Sequence, residues 1–121
     1  MAFLSFMNFS ESLKKNKDFQ FVYRNGKSHA NKYLVMYVYD RSPEKRNRIG
    51  ISVSKKVGNS VVRHRLTRLI RESYRLNEKK FVGGLDFILI ARPGAKERNF
   101  FEIESALLHL AKIHGVLKMN E

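Results

Sequence analysis

The sequence contains no cysteine, no tryptophan and only two prolines among its 121 residues. Without cysteine the fold has neither disulfides nor thiolate metal ligands, which fits a reducing compartment. Acidic residues are also scarce, since 11 Asp and Glu stand against 24 Lys and Arg, giving a net charge of +13. Because such an excess opposes compaction by self-repulsion, a polyanionic partner is its simplest cause.

Long apolar runs are missing as well. Met1–Phe9 is apolar, but it is too short to span a bilayer and lacks the basic start of a signal peptide. We therefore expect a cytoplasmic protein with no membrane partner. The length suits one domain over residues 1–121, with about residues 1–13 as an N-terminal extension that need not be ordered.

Residue groups typical of catalysis do not occur. There is no Gly-rich phosphate loop, and the four histidines, His29, His64, His109 and His114, are scattered without metal-ligand spacing. The acidic residues form no evident cluster of the kind that holds two catalytic metals. We expect no catalytic residue, no metal site and no small-molecule substrate, so the sequence indicates a binding protein.

The most informative stretch is Lys55–Arg75, which carries seven Lys and Arg but only one acid, Glu72. Helical spacing places its apolar residues, with Ser73, on one stripe and most of its basic residues on the far side. Like charges three or four residues apart repel, so a face needed only for solubility would mix signs. Guanidinium groups match phosphate oxygens in pairs, and the stretch therefore predicts a nucleic-acid-binding helix, capped by Asn59 or Ser60.

The remaining patterns predict the order α-β-β-α-β-α, with an extra short strand near Lys27–Ala30 as an option. A first helix begins at Asn16 as its cap and ends near Asn25, with Gly26 as a left-handed C-cap. Two strands, Lys32–Asp40 and Ile49–Ser54, are expected to pair as a hairpin. The continuous apolar run Leu85–Ala91 favours a strand buried on both faces, and Asn99 with Glu102 begins a last helix that closes at Gly115.

The strand Lys32–Asp40 has two unlike faces. Leu34, Met36 and Val38 form the natural core face, whereas Tyr33, Val35, Tyr37 and Tyr39 form a tyrosine-rich face. Two interpretations stay open for the tyrosines: they stack on unpaired bases, or they pack under a helix with their hydroxyls reaching solvent.

The basic stretch resembles the signature of the bacterial ribonuclease P protein subunit family. The signature stands here as Ser54-Lys55-Lys56-Val57-Gly58-Asn59, followed by Arg63-His64-Arg65, Arg68 and Arg71. The resemblance extends to Lys15–Phe19, Ala30-Asn31 and Phe87–Arg92, and it covers roughly Lys14–Leu110. His64 and Thr67 depart from it, because the family typically has Asn and often a basic residue at these positions.

The resemblance implies an α+β sandwich with a left-handed β-α-β crossover, like the second domain of ribosomal protein S5. It implies a catalytic RNA subunit with Mg²⁺ at its active site, which removes the 5′ leader from precursor tRNA. The residues implied to contact ribonuclease P RNA are Lys55, Lys56, Asn59, Arg63, His64, Arg65, Arg68 and Arg71. A cleft for the precursor tRNA 5′ leader is implied at Phe19, Tyr23, Ser28, Asn31, Val35 and Tyr37.

Three other function classes compete with the one that this resemblance implies. A ribosomal or other structural RNA-binding protein shares the charge pattern but does not assist leader cleavage. A stand-alone nuclease needs a carboxylate or histidine cluster, which the sequence does not show. A DNA-binding protein is weaker still, because no helix-turn-helix spacing or dimerisation element accompanies the basic helix.

Overall fold

The computed structural model describes residues 10–119, which form a five-stranded sheet and three α-helices. The apolar stretch Met1–Phe9 lies outside the described residues. In chain order the elements are β1 (Ser10–Ser12), α1 (Asn16–Asn25), β2 (Lys27–Ala30), β3 (Leu34–Asp40), β4 (Asn47–Ser52), α2 (Ser60–Asn77), β5 (Leu85–Ala91) and α3 (Phe100–His114). This order confirms the α+β class and the optional strand Lys27–Ala30.

The apolar strand β5 lies at the centre of the sheet, whose order is β1-β4-β5-β3-β2. It runs parallel to β4 and antiparallel to β3, with Phe87 opposite both Ile49 and Val38. The predicted hairpin between β3 and β4 is therefore wrong. The most apolar strand gains most from burial on both faces, so it separates the two half-polar strands. The β4-α2-β5 crossover is confirmed, and its left-handed sense stays what the resemblance implies.

The polar segment before α1 belongs to the sheet and is no mere extension. Ser10–Ser12 pairs in parallel with β4, and Leu13 continues the pairing by donating its backbone N–H to Ile49 O at 2.8 Å. The Ser10 hydroxyl hydrogen-bonds the Tyr74 hydroxyl at 2.7 Å in the interior. Ser10–Ser12 has only one apolar neighbour, Leu13, so its alternation of apolar and polar residues is too weak to predict a strand. The sequence therefore predicted an extension where the structure has β1.

The two faces of the sheet support different helices. The main core packs α2 and α3 on one face, where Leu34, Met36, Phe87 and Leu89 are at most 1% exposed. A smaller cluster around Ile88 packs α1 on the other face. Alternation along β3 and β5 sends successive side chains to these two layers, so a single sheet separates α1 from α2 and α3.

The predicted helix ends are confirmed for α2 and α3 and wrong for α1. The Asn59 side chain accepts from the Val62 N–H, and Asn99 forms a capping box with Glu102. At α1 the cap position is Lys15 and has no side-chain hydrogen bond, and Gly26 is extended with φ −84°. Gly26 is needed there for space, because a Cβ would lie 2.8 Å from the carbonyl oxygens of Val22 and Val38.

Candidate nucleic-acid interface

Helix α2 presents two opposite faces because its apolar residues recur at helical spacing. Leu66, Ile70, Ser73 and Tyr74 are at most 1% exposed and hold the helix on the sheet and on α3. The opposite side, together with the turn before the helix, forms what we call the basic surface. Its members are Lys55, Lys56, Asn59, Arg63, His64, Arg65, Arg68 and Arg71.

Four members of the basic surface are freely presented to solvent: Lys55, Lys56, His64 and Arg68 are all exposed. Between residues 10 and 119 the structure gives Arg68 no protein hydrogen bond or ion pair. The donor groups of these exposed side chains therefore remain available to an anionic partner.

The other arginines of the basic surface are tied to the protein. Arg63 donates to Gly58 O at 3.0 Å, which holds the turn before α2. Arg65 donates to Lys96 O at 3.2 Å and to Arg98 O at 2.6 Å, and so joins α2 to the turn before α3. Arg71 is half-buried, and the resulting desolvation lowers its pKa below the ordinary arginine value.

On the opposite face of the sheet, α1 and β3 enclose an aromatic cleft, defined here by Phe19, Tyr23 and Tyr37. The rings of Tyr23 and Tyr37 meet edge to face at 5.0 Å, and Phe19 lies 6.3 Å from Tyr23. The Phe19 ring covers Gly50 so closely that a Cβ on that glycine would lie 2.5 Å from it. The small face of β4 thus makes room for a ring of the protein itself.

The Tyr23 hydroxyl of the cleft remains a neutral donor. Burial raises the pKa of Tyr23 above its ordinary value, and the nearby Tyr37 raises it further, while a hydrogen bond to Ser52 opposes both effects. Tyr39 packs against Phe21 at 4.9 Å, beside the cleft. Packing under α1 is therefore confirmed for Tyr37 and Tyr39, and base stacking stays a prediction for the half-exposed ring edges.

The structure brings only part of the predicted leader cleft together. Ser28 pairs with Tyr37, and Val35 pairs with Ile90, which places both on the cleft side of the sheet. Asn31 lies elsewhere, because it donates to Ala106 O at 3.0 Å and contacts His109 on α3. Asn31 thus closes the β2–β3 turn onto the other helical layer.

Tyr33 also leaves the face on which alternation placed it. Strand β3 begins only at Leu34, so the residue before it does not follow the pleat. The Tyr33 ring packs against the main core, and the Arg98 guanidinium lies 5.3 Å from its centroid. The expected grouping of Tyr33 with Val35 and Tyr37 is therefore wrong.

One ion-pair network beside the cleft was missed from sequence. Asp86 on β5 is 1% exposed and accepts from Arg41 at 2.7 Å and from Arg48 at 2.8 and 2.9 Å. Arg48 also reaches Asp18 on α1 at 3.5 Å, and the Asp86 pairing raises the Arg48 pKa. An acid within an otherwise apolar strand is the signal that identifies such a site, since buried charges are normally paired.

The basic surface and the aromatic cleft approach each other at the edge of β4. Strand β1 covers β4 only as far as Ile49, leaving the following residues at an open edge. A cavity of about 340 Å³ lies there, and it is lined by Arg71 of the basic surface and by Phe19 of the cleft. Arg71 of the basic surface and Phe19 of the aromatic cleft therefore border the same cavity at this edge of the sheet.

Among residues 10–119, no group of three or more His, Cys, Asp or Glu side chains is placed to hold a metal ion. Over the same range, no helix is both long and apolar enough to cross a membrane. A mixed sheet with a basic helix on one face and an aromatic cleft on the other defines an α+β protein of the nucleic-acid-binding class.

Comparisons with known proteins narrow this class. The family model described as Ribonuclease P matches residues 7–115. The chain is 61% identical over 112 residues to the ribonuclease P protein component of Lachnoclostridium phytofermentans, covering 93% of this chain and 96% of that protein. A solved structure of the Staphylococcus aureus RNase P protein superposes with a TM-score of 0.82 at 38% identity, over 90% of this chain and 99% of that one.

The RNase P protein from Thermotoga maritima gives a TM-score of 0.77 at 30% identity, covering 85% of this chain and 96% of that chain. The chain belongs to the ribonuclease P protein family, the protein subunit of the ribonucleoprotein that processes tRNA 5′ leaders. The resemblance drawn from the Ser54–Arg71 signature is thereby confirmed.

Proposed function

We propose that this chain binds the RNA subunit of ribonuclease P through its basic surface and the 5′ leader of precursor tRNA in its aromatic cleft. The RNA subunit carries the catalytic Mg²⁺ ions, and the protein lowers the Mg²⁺ concentration that cleavage needs by neutralising phosphate charge. A cytoplasmic location goes with this proposal, because its partners are the RNA of the processing enzyme and its tRNA substrate.

The single observation that supports the proposal best is the separation of two different surfaces by one sheet. Exposed cations such as Lys55, Lys56 and Arg68 suit a structured RNA, whose backbone presents closely spaced phosphates. Half-exposed rings such as Phe19 and Tyr37 suit a single strand, whose unpaired bases have free faces for stacking. Two surfaces of different chemistry fit two RNAs better than one.

The proposal is tested by cleavage of precursor tRNA at low Mg²⁺ concentration, using the chain alone, a bacterial ribonuclease P RNA alone, and both together. We expect efficient cleavage only with both present. Cleavage by the chain alone would show that it carries a nuclease site of its own. No stimulation of the RNA would leave a structural RNA-binding protein and overturn the proposed role.

The leader cleft has a matched control on the same helix. Phe19→Ala should weaken binding of leader-bearing precursor tRNA to the holoenzyme about fivefold or more, the effect of losing one base stack, and should leave mature tRNA unchanged. Phe21 is 45% exposed and lies against Tyr39 outside the cleft, so Phe21→Ala should change neither substrate. Equal losses for both substrates with Phe19→Ala would refute leader binding at this cleft.

A further inference from the structure

A second aromatic pocket lies outside both surfaces described above. It has a volume of about 620 Å³ and is formed by the β2–β3 turn and one face of α3. Tyr33 lines it from the turn, and Phe101, Ser105 and His109 line it from α3 at intervals of four residues. Its size lies within the range of about 300–1,000 Å³ that is typical of small-ligand sites.

The pocket is bordered by an aromatic side chain, Phe101, that packs little against the rest of the protein. Phe101 is 74% exposed, and its ring contacts that of Phe100 edge to face at 5.4 Å. Single exposed apolar residues are common and need no explanation by themselves. Here, however, the ring borders a pocket whose other aromatic wall, Tyr33, is held in place by the Arg98 guanidinium.

The hydrogen bonds of Asn31 determine which polar atoms the pocket can offer. Its Oδ1 accepts from the backbone N–H groups of Tyr33 and Leu34, at 3.2 and 3.0 Å, which fixes the orientation of the amide. Its Nδ2 therefore donates to His109 Nδ1 at 3.1 Å. With Nδ1 accepting, Nε2 is the ring nitrogen of His109 that can donate, and the Ser105 hydroxyl adds both a donor and an acceptor.

The charge around the pocket favours an anionic ligand. Lys32 and Lys96 are exposed nearby, and Arg92 is anchored by donating to Asn31 O at 2.7 Å. The carboxylate in the pocket, Glu102, is already used, because it accepts from the Asn99 N–H at 3.0 Å and pairs with Arg98 at 3.3 Å. Lys32 lines the pocket itself, and Arg92 lies against its wall residue Asn31, so both can meet a phosphate beside a bound base.

One turn, Lys96 to Arg98, joins the pocket to the basic surface. Arg65 of α2 donates to the backbone carbonyls of Lys96 and Arg98, so the turn between α2 and the pocket is fixed to the basic helix. The turn therefore lies between Arg65 of the basic surface and Asn99 of the pocket. A flat base entering the pocket would then find a ring for stacking, hydrogen-bonding groups for its edge, and cations for its flanking phosphates.

We propose that this pocket, bordered by Tyr33, Phe101 and His109, binds one unpaired nucleotide of the same RNA that contacts α2. The base stacks on Phe101, and its edge meets His109 Nε2 and Ser105. This inference rests on the proposed function only in so far as α2 binds ribonuclease P RNA. It adds a nucleotide-specific contact to a surface otherwise made of phosphate contacts.

The first test compares two exposed apolar residues of α3. Phe101→Ala should weaken binding to a bacterial ribonuclease P RNA about fivefold or more and leave the log–log salt slope unchanged, because a stacked base is lost and no phosphate contact is. Ile113 is 46% exposed and lies outside the pocket, so Ile113→Ala should not change the affinity. Neither side chain belongs to the buried core, and both variants should therefore fold.

The second test uses the absence of tryptophan from the sequence. A Phe101→Trp variant carries a single indole at the pocket, and stacking of an RNA base on it should quench its fluorescence when the RNA is added. An Ile113→Trp variant, with its indole elsewhere on α3, should show no comparable quenching. Equal quenching at both positions, or none at position 101, would overturn the proposal.

Arg68→Ala separates this inference from the proposed function. If Arg68→Ala weakens RNA binding and Phe101→Ala does not, the nucleotide pocket is refuted while α2 remains an RNA-binding helix. If Arg68→Ala has no effect on affinity or salt slope, the proposed role of α2 fails, whatever Phe101→Ala shows. Weakening by both variants, with a smaller slope only for Arg68→Ala, supports both proposals.

Discussion

The two arginines Arg65 and Arg68 lie one turn apart on α2, yet the structure predicts different consequences for their loss. Arg68 is exposed and has no protein partner among residues 10–119, whereas Arg65 donates to two backbone carbonyls. Arg68→Ala should therefore leave thermal stability unchanged and affect only RNA binding. Arg65→Ala should affect both.

The expected effect of Arg68→Ala on the salt dependence of RNA binding follows from counterion release. One phosphate contact contributes about 0.7–0.9 to the log–log salt slope, depending on whether the contacted RNA is single- or double-stranded. Raising the salt concentration from about 50 to about 200 mM should then reduce the RNA affinity of the Arg68→Ala variant roughly threefold less than that of the unmodified protein. Titration of ribonuclease P RNA at four salt concentrations measures this difference directly.

The magnitude for Arg65 follows from its two hydrogen bonds. Charged donors contribute about 1.5–3 kcal/mol each when buried, but Arg65 is half-exposed, so we expect about 1–2 kcal/mol in total from its loss. Urea denaturation followed by circular dichroism measures this stability. An unchanged salt slope for Arg68→Ala, or equal stability losses for the two variants, would refute the division of roles.

Three further predictions concern the cleft, the ion pair and the pH dependence. Gly50→Ala should displace the Phe19 ring and destabilise the fold by about 1–3 kcal/mol. In competitive binding it should weaken the binding of leader-bearing tRNA more than that of mature tRNA. Asp86→Asn should destabilise the fold by about 2 kcal/mol in urea denaturation, less than a fully buried pair because its partners such as Arg48 are partly solvated. Burial lowers the His114 pKa below 6.5, so the unfolded chain takes up the proton first and stability should fall as the pH drops below that value. His114→Gln should flatten this part of the stability curve in thermal melts at pH 5 to 7 (about the range in which histidine titrates).

Local signals predicted the three helices and the N-terminal caps of α2 and α3, but not the caps of α1. Asn59 and the Asn99–Glu102 box act through residues three apart, and the stripe along α2 needs only a regular helix. The arginines of the signature, Arg63 to Arg71, share one side of α2 because they lie on one continuous helix. Their contacts with RNA stay a prediction. Such patterns predict structure because the residues that interact lie within one helix.

Long-range features were harder to predict. The alternation of β3 and β4 is compatible with a hairpin, and only the placement of β5 between them excludes it. Asn31 and Tyr33 left their expected positions because the β2–β3 turn, which ends the pleat, is fixed by contacts to α3 more than 60 residues away. Tertiary contacts of this separation have no local pattern that reveals them.

Because β5 lies at the centre of the sheet, its position affects both the basic surface and the aromatic cleft. Phe87 and Leu89 support the layer under the basic helix, and Ile88 supports the layer under the aromatic cleft, from one strand 7 residues long. Close-packed layers transmit displacement rather than absorb it. A change that shifts or tilts β5 therefore alters the spacing and angle between the basic surface and the aromatic cleft at the same time. If each surface binds its proposed RNA, such a mutation should misalign the two RNAs before it weakens binding to either.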